Sequence, residues 1–321
     1  MAETPKKTSL VRKQTPMRRV LIATVPCILG SIYYFGWRSL AVVLVSCGVA
    51  FAAEYAFCRQ RKEPVSQAAF VTAVLYALVM PPTIPWHVLV IGILFAIVFV
   101  KEAFGGFGRN VFNPAVAGRC FVYICFPTAM TSEWAPVAQG PLGALTQWTT
   151  AISPDAITSA TPMALMKAGK FEPGLSDLFH GLFLGRMAGT MGVTSALLIL
   201  LGGAYLVHTK TLKLAPVVAV VVTYATLTQV LHWFGVEPVP NALPAVLGGG
   251  FLFGAFFMVT DPVSSASTKE GRIVYGMLIG VCTLVIRNFS IFNGGLMFSI
   301  LLGNMFAPII DHAVKARRKK Q

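Results

Sequence analysis

The sequence predicts an all-α fold, a polytopic transmembrane helical bundle of about ten spans with one long extracytoplasmic loop. The chain is 55% apolar and only 12% charged, with a mean hydropathy of +0.71, which is far from the composition of a water-soluble domain. Apolar runs that approach the roughly 20 residues needed to cross a bilayer as a helix recur from Arg18 to Asp311. Most basic residues lie between these runs. The chain is therefore expected to fold in lipid.

Charges, glycines and prolines divide the apolar runs. The predicted helices cover 18–36, 39–57, 67–80, 86–100, 111–128, 180–206, 213–233, 242–259, 273–290 and 291–311. The third is short and ends at Pro81-Pro82, and the ninth carries Arg287 near its end. Nine or eleven spans therefore stay open as alternatives.

The basic residues predict the orientation. With the amino terminus in the cytoplasm, 20 of the 26 Lys and Arg residues fall on the cytoplasmic side, in segments 1–19, 58–66, 101–110, 207–214, 260–272 and 311–321. Positive charge is retained on that side during insertion. The sequence thus predicts an inner-membrane protein with both termini cytoplasmic. The net charge of +14 does not indicate nucleic-acid binding, because no soluble segment groups basic with aromatic residues.

This orientation divides the chain into five parts. A cytoplasmic tail (1–19) precedes a first five-helix membrane segment (20–128). An extracytoplasmic loop (129–179) precedes a second five-helix segment (180–311), and a basic cytoplasmic tail (312–321) follows. About fifty residues without obvious secondary structure are unusual for a loop, and such loops are often functional.

The sequence predicts neither a metal site nor a catalytic triad. The five histidines are scattered without metal-ligand spacing. None of the six cysteines lies in the extracytoplasmic loop, and each is interpreted as a small buried apolar residue: Cys27, Cys47, Cys58, Cys120, Cys125 and Cys282.

One segment of the long loop suggests covalent chemistry. Residues 155–161 read Asp-Ala-Ile-Thr-Ser-Ala-Thr and precede Pro162. The residues that define this motif are Asp155, Thr158, Ser159, Ala160 and Thr161. A hydroxyl at the end of a run of small residues suits a nucleophile that must enter the cleft of another enzyme, which would have to activate it. An ordinary Ser/Thr-rich loop is the alternative.

Two further segments accompany this one. The connection before the fifth span reads Gly-Gly-Phe-Gly-Arg-Asn-Val-Phe-Asn-Pro-Ala over residues 105–115, with Arg119 after it. The loop before the ninth span reads Thr-Asp-Pro-Val-Ser-Ser-Ala-Ser-Thr over residues 260–268. A solvated, helix-breaking loop is the favoured interpretation of Asp261 and the hydroxyls behind it, with a re-entrant or cofactor-facing turn as the alternative. Ionisable groups at membrane depth often mark function, but Glu54 and Arg119 lie near enough to predicted span edges to reach the membrane interface.

In order and placement, the three segments resemble the NqrB/RnfD family of flavin-bearing membrane subunits over nearly the whole chain. The resemblance implies that a flavin transferase attaches FMN covalently to Thr161 through its phosphate. Ser159 stands where the family's motif more often has glycine. The short tail before Arg19 favours the RnfD branch, which belongs to the Rnf complex that couples ferredoxin and NAD redox chemistry to sodium or proton transport. The other proteins of an Rnf-type complex and membrane lipid are then the expected partners.

The resemblance also implies a second, noncovalent flavin. Asn110 and Asn113 match positions that bind riboflavin in the NqrB branch, and amide groups can pair with the pyrimidine edge of a flavin. Capping of the helix that follows is an equal alternative. For the whole chain, the rival functions are a solute channel or carrier and a structural scaffold. A carrier predicts no bound flavin, and a scaffold predicts no role in electron transfer.

Overall fold

The computed structural model describes residues 10–131, 134–138, 140–150, 161–170, 173–292 and 294–320. Within these residues the protein is helical, as predicted, with one short parallel pairing of β1 (Val11–Arg12) with β2 (Val65–Ser66). The helices are α1 (Thr15–Phe35), α2 (Arg38–Arg61), α3 (Gln67–Leu78), α4 (Trp86–Ile97), α5 (Pro114–Cys125), α6 (Pro127–Thr131), α7 (Pro162–Lys167), α8 (Ala196–His208), α9 (Leu214–Trp233), α10 (Ala242–Leu247), α11 (Phe251–Phe253), α12 (Lys269–Phe289) and α13 (Gly295–Lys320). Three π-helical turns cover Val98–Glu102, Asp177–Phe183 and Gly254–Met258.

Helix length separates two groups of helices. In the described chain, α2, α9, α12 and α13 are long and apolar enough to cross a membrane. The apolar helices α3 and α5 have only 12 residues each, or about 18 Å at 1.5 Å per residue, which is less than the hydrocarbon thickness. The end of α3 at Leu78 and the residue before α5, Asn113, are buried, and irregular backbone is tolerated in a membrane where it lies within the protein. The number of about ten spans stays a prediction.

The long helices pack through glycine. α12 packs against α9 and α13. A Cβ at Gly276 would lie 2.6 Å from the Cβ of Ala219, and one at Gly280 would lie 2.9 Å from the Cβ of Thr223. The two glycines are four residues apart on one face of α12, so the backbones of α12 and α9 approach closely, as small residues allow in lipid.

Two predicted helices are interrupted. The helix predicted over 180–206 is wrong in its first half, because α8 begins only at Ala196. The chain before it bonds to the end of α3 instead, with Met191 N donating to Met80 O at 3.0 Å and Gly192 N to Leu78 O at 2.8 Å. The helix predicted over 242–259 breaks at Gly248–Gly250. Both interruptions face the same cavity, described below.

The long loop packs on the end of α1 where it is described. Ala138 N donates to Tyr34 O at 3.0 Å, and Ala144 N donates to Tyr33 O at 2.7 Å. The indole of Trp37 donates to Leu145 O at 2.8 Å. Of the predicted motif, Asp155, Thr158, Ser159 and Ala160 lie outside the described residues, and Thr161 lies within them.

Candidate functional site

A cavity of about 230 Å³ includes Thr161 in its wall. We call it the Thr161 cavity. The other walls come from Arg119 and Tyr123 on α5, from the segment 187–194, and from the break at Gly248–Gly250. Both interrupted helices thus contribute to one cavity, and the last residue of the predicted motif opens into it.

Thr161 is placed by the helix that it caps. Its Oγ1 accepts a long hydrogen bond of 3.4 Å from Ala164 N at the start of α7. α7 is fixed by the buried side chains of Met163 and Met166 and by Lys167, whose ammonium donates to Ser290 O. Burial lowers the pKa of Lys167 below its usual range. The Thr161 hydroxyl is therefore held at the cavity wall by one weak contact.

Arg119 brings a positive charge to the same wall. The sequence suggested that it reaches the membrane interface, but its Nε is enclosed and has no hydrogen-bond partner among the described residues. No ion pair joins it to a described carboxylate. Burying a cation is costly unless it is paired. The cavity thus holds a guanidinium whose charge the described chain does not balance.

Arg287 organises the break between α10 and α11. Its side chain is 2% exposed, and its guanidinium donates to Ala245 O and Gly248 O at 2.8 Å each and to Tyr224 Oη at 3.2 Å. Ala245 lies in the last turn of α10, where carbonyls lack partners within the helix, and Gly248 O otherwise accepts only a long bond of 3.4 Å from Phe251 N among the described residues. The sequence placed Arg287 near the end of a span, and in the structure it binds the break whose glycines line the cavity.

A glycine is required beside Arg287, and Gly249→Ala is expected to destabilise the protein. Gly249 has φ +59°, and an added Cβ would overlap Nη2 of Arg287 and lie 2.7 Å from Met163 Cγ. The left-handed conformation alone costs alanine about 1–2 kcal/mol. Gly235→Ala is the control, since Gly235 has φ +68° and a Cβ added there would lie more than 4 Å from every described residue except its chain neighbours. Thermal unfolding in detergent should show the larger loss for Gly249→Ala, and equal losses would contradict the required close contact.

A second cavity of about 370 Å³ contains Asn110 and Asn113 in its wall. We call it the Asn110 cavity. Its other walls include Lys101, Thr260 and Asp261. The structure therefore brings two of the three predicted motif segments together, the one around Asn113 and the one at Asp261.

The two asparagines differ in what they offer to this cavity. Asn113 caps α5, accepting from Ala115 N at 3.1 Å and Val116 N at 3.4 Å, and its amide donates to Met258 O at 3.3 Å. Asn113 therefore acts as the helix cap that the sequence predicted as the alternative to flavin binding. Asn110 donates to Phe112 O at 2.9 Å, and its Oδ1 makes no hydrogen bond within the described chain. Asn110 therefore has an acceptor left for a ligand.

Asp261 lies on the wall of the Asn110 cavity and is held by local bonds. Its Oδ2 accepts from Ser264 Oγ at 2.6 Å and Ser264 N at 3.1 Å. Behind it, Asn304 donates to Ser264 O at 3.1 Å and accepts from Asn113 N at 3.0 Å. The turn is thus tied to the start of α5 and faces the cavity, which favours the cofactor-facing alternative over a solvated loop.

A buried ion pair lies at the wall of the Asn110 cavity. Sequence reasoning identified Glu54 but not its partner Lys101, which lines the cavity. Lys101 Nζ lies 2.5 Å from Glu54 Oε2 and donates to Ser66 Oγ at 2.9 Å. Glu54 and Lys101 are each 1% exposed, so Glu54 does not reach the interface as suggested. The adjacent Lys101 and Glu102 directly after an apolar run were the available signal. The π-helical turn Val98–Glu102 carries Lys101, and such turns often lie at functional sites.

α5 joins the two cavities. Pro114, at its first turn, lines the Asn110 cavity, and Tyr123, near its end, lines the Thr161 cavity. The rise between these residues is about 14 Å at 1.5 Å per residue. The two predicted flavin positions therefore lie near opposite ends of one short helix.

Comparison with known proteins shows which family the sequence belongs to. The model of the NQR2, RnfD, RnfE family matches residues 1–320. The chain is 34% identical to the RnfD subunit of the ion-translocating oxidoreductase complex of Shewanella amazonensis, covering 94% of this chain and 92% of the relative. It is 37% identical to the protein of that name from Alcanivorax borkumensis, over 94% and 91%.

A second group of relatives carries another name. The chain is 37% identical to the NqrB subunit of the Na(+)-translocating NADH-quinone reductase of Pseudomonas aeruginosa, over 90% of this chain and 68% of the relative. The resemblance that three short segments carried thus extends along nearly the full sequence. This chain belongs to the NQR2, RnfD, RnfE family.

Proposed function

We propose that this chain is a membrane subunit of an ion-translocating electron-transport complex and carries FMN covalently on Thr161. The observation that carries the proposal is the position of Thr161 in the wall of a cavity that also holds the unbalanced guanidinium of Arg119. The hydroxyl of Thr161 can form the phosphate ester, and the guanidinium of Arg119 supplies a positive charge near the flavin. The names of the relatives support a redox and ion-transport role.

Attachment of the flavin follows ordinary phosphoryl transfer. The Oγ1 of Thr161 attacks the phosphorus on the FMN side of FAD, the bond to the AMP phosphate breaks, and AMP leaves. The hydroxyl proton passes to a base of the flavin transferase, because an unassisted threonine is a poor nucleophile. The single long contact of Thr161, 3.4 Å to Ala164 N, leaves the hydroxyl available for this step.

The Asn110 cavity is the proposed site of a noncovalent riboflavin. The free Oδ1 of Asn110 can accept from the flavin imide, and Lys101 and Asp261 place charges nearby. A flavin takes up one or two electrons, while the protein sets its position and surroundings. α5 then separates the two flavin sites by a short distance, and electrons cross the protein along it.

The proposed orientation places this electron step across the membrane. Positive charge in the connections supports cytoplasmic termini, about ten spans and an extracytoplasmic Thr161 in a bacterial inner membrane. The partners are the other proteins of an Rnf-type complex, which link the chain to ferredoxin and NAD and couple the electron flow to sodium or proton movement.

The rival function is a solute channel or carrier without a redox cofactor. Cavities between membrane helices suit both functions. The rival gives no role to a nucleophilic hydroxyl at the rim of a cavity with an unpaired cation. It also predicts that the purified protein carries no flavin.

Mass measurement of the native complex tests the proposal. The complex is purified from cells that contain the transferase, and the peptide bearing Thr161 is isolated. We expect its mass to exceed the sequence value by one FMN less one water, and denaturing gels to show a fluorescent band under ultraviolet light. An unmodified peptide from assembled complex would reject covalent attachment and favour the carrier.

Asn110→Ala tests the second flavin site. Removing the amide acceptor is expected to weaken riboflavin binding about tenfold, or roughly 1.4 kcal/mol. Acid extraction of the purified complex measures the noncovalent flavin, and the fluorescent band at Thr161 should persist. The control is Asn241→Ala, which removes the cap of α10 away from this cavity. Equal riboflavin content in Asn110→Ala and wild type would place the site elsewhere.

A further inference from the structure

We propose that Arg119 is the cationic partner of the flavin bound at Thr161 and pairs with one of its anionic groups. The inference rests on the proposed function and assigns to Arg119 a binding role in the Thr161 cavity. It follows from the charge and hydrogen-bond state of that side chain, which no other described basic residue of the cavity shares.

The charge of Arg119 needs a partner that the described chain does not provide. The buried carboxylates of the described chain already have other partners. Glu54 pairs with Lys101, and Glu102 pairs with Arg61. Asp261 and Asp311 accept from neighbouring hydroxyl and backbone groups. A guanidinium without a counter-charge is strongly disfavoured inside a membrane protein. A ligand anion in the cavity would remove that cost.

Arg287 shows how the same chain satisfies an arginine that has a structural role. Its Nη1 and Nη2 donate to carbonyl oxygens at the end of α10, and its guanidinium carbon lies 5.7 Å from the ring centre of Tyr224. Arg119 has no corresponding set of carbonyl acceptors within the described residues. The Nε of each arginine lacks a partner among the described residues. Only Arg119 of the two lines the Thr161 cavity, and it makes no hydrogen bond to the described residues.

Two anionic groups of the flavin could receive this charge. The phosphate ester at Thr161 is negative in every redox state, so pairing with it would anchor the flavin without altering its potential. The ring system becomes negative only on reduction, so pairing with it would stabilise the reduced form. The shared chemistry is an anion that accepts hydrogen bonds from a guanidinium. Loss of the Arg119 charge should therefore change the anchoring of the flavin if the phosphate is the partner, and the reduction potential if the ring is the partner.

Arg119→Gln in the assembled complex separates the two sources. Attachment is read from gel fluorescence, the reduction potential from a spectroscopic titration, and the order of the flavin from its fluorescence anisotropy. If the ring is the partner, we expect about a tenfold loss of preference for the reduced form, which is about 30 mV more negative for a two-electron couple. If the phosphate is the partner, the potential stays the same and the anisotropy falls.

The controls are chosen for charge and location. Arg119→Lys keeps the charge and should retain most of the wild-type potential and anisotropy. Arg186→Gln removes an exposed charge that does not line the cavity, and it should change neither quantity. Wild-type potential and anisotropy in Arg119→Gln would overturn this inference while leaving covalent attachment intact. A wild-type complex without the fluorescent band would instead reject the proposed function itself.

A second variant covers the case in which Arg119→Gln does not assemble. Arg119→His carries a charge that pH controls, so one folded protein samples both states. If the ring is the partner, the potential should rise as the pH falls through the imidazole pKa, beyond the slope of the wild type. If the phosphate is the partner, the anisotropy should rise over the same range. A response equal to that of the wild type in both quantities would overturn the inference.

Discussion

Thr161→Ala is expected to abolish the covalent flavin while leaving the helices in place. The methyl group that replaces the hydroxyl cannot attack phosphorus, so the fluorescent band should disappear completely. The folding cost is small, because loss of a threonine cap costs about 1 kcal/mol and the bond to Ala164 N is long, at 3.4 Å. The variant should therefore accumulate in the membrane at close to the wild-type level. Gel fluorescence and the yield of purified complex measure the two effects separately.

Two matched variants define what this result means. Thr161→Ser keeps both the hydroxyl and the cap, so it should retain flavin. Thr131→Ala removes another hydroxyl that lines the same cavity and donates to Pro127 O at 2.7 Å, and the band should persist. A band that remains in Thr161→Ala, or disappears in Thr131→Ala, would place the attachment on another residue. Electron transfer that is unchanged without the band would support the scaffold alternative.

Composition and local pattern could predict the helices but not their interruptions. The apolar runs and charged connections are properties of neighbouring residues, and they locate α2, α9 and α12 within a few residues. The break after α10 depends on Arg287, which lies about forty residues further along and binds its carbonyls. The missing first half of the predicted helix 180–206 depends on the carbonyls of Leu78 and Met80, at and just after the end of α3. Such distant hydrogen bonds leave no periodic pattern in the sequence.

The same reasoning applies to the candidate site. Thr161 stood out because its motif is local, and the structure places it in a cavity wall. The cavity itself was not predictable, since its walls come from α5, the segment 187–194 and the Gly248–Gly250 break. Arg119 was identified only as an ionisable residue near a span edge. Its importance appears when the enclosed Nε is found without a partner.

The buried ion pair of Glu54 and Lys101 joins residues that are far apart in the sequence, so no local pattern predicts it. Breaking this pair should have the largest effect on stability. Lys101→Met leaves the carboxylate of Glu54 buried, and among the described residues only Ser66 then donates to it, at 2.6 Å and 2.9 Å. Removing one partner of a buried pair costs about 3–5 kcal/mol. We therefore expect a marked fall in the thermal unfolding midpoint of Lys101→Met in detergent.

The double variant Glu54→Gln with Lys101→Met distinguishes lost charge balance from lost packing. A neutral amide needs no counter-charge and can still bond to Ser66, so the double variant should recover most of the stability that the single variant loses. Arg318→Met is the surface control, because its pair with Glu270 is exposed and screened, and it should barely change the midpoint. Equal losses in the single and double variants would show that Lys101 stabilises the protein by packing. Because Lys101 lines the Asn110 cavity, the balanced pair also sets the charge that a ligand there encounters.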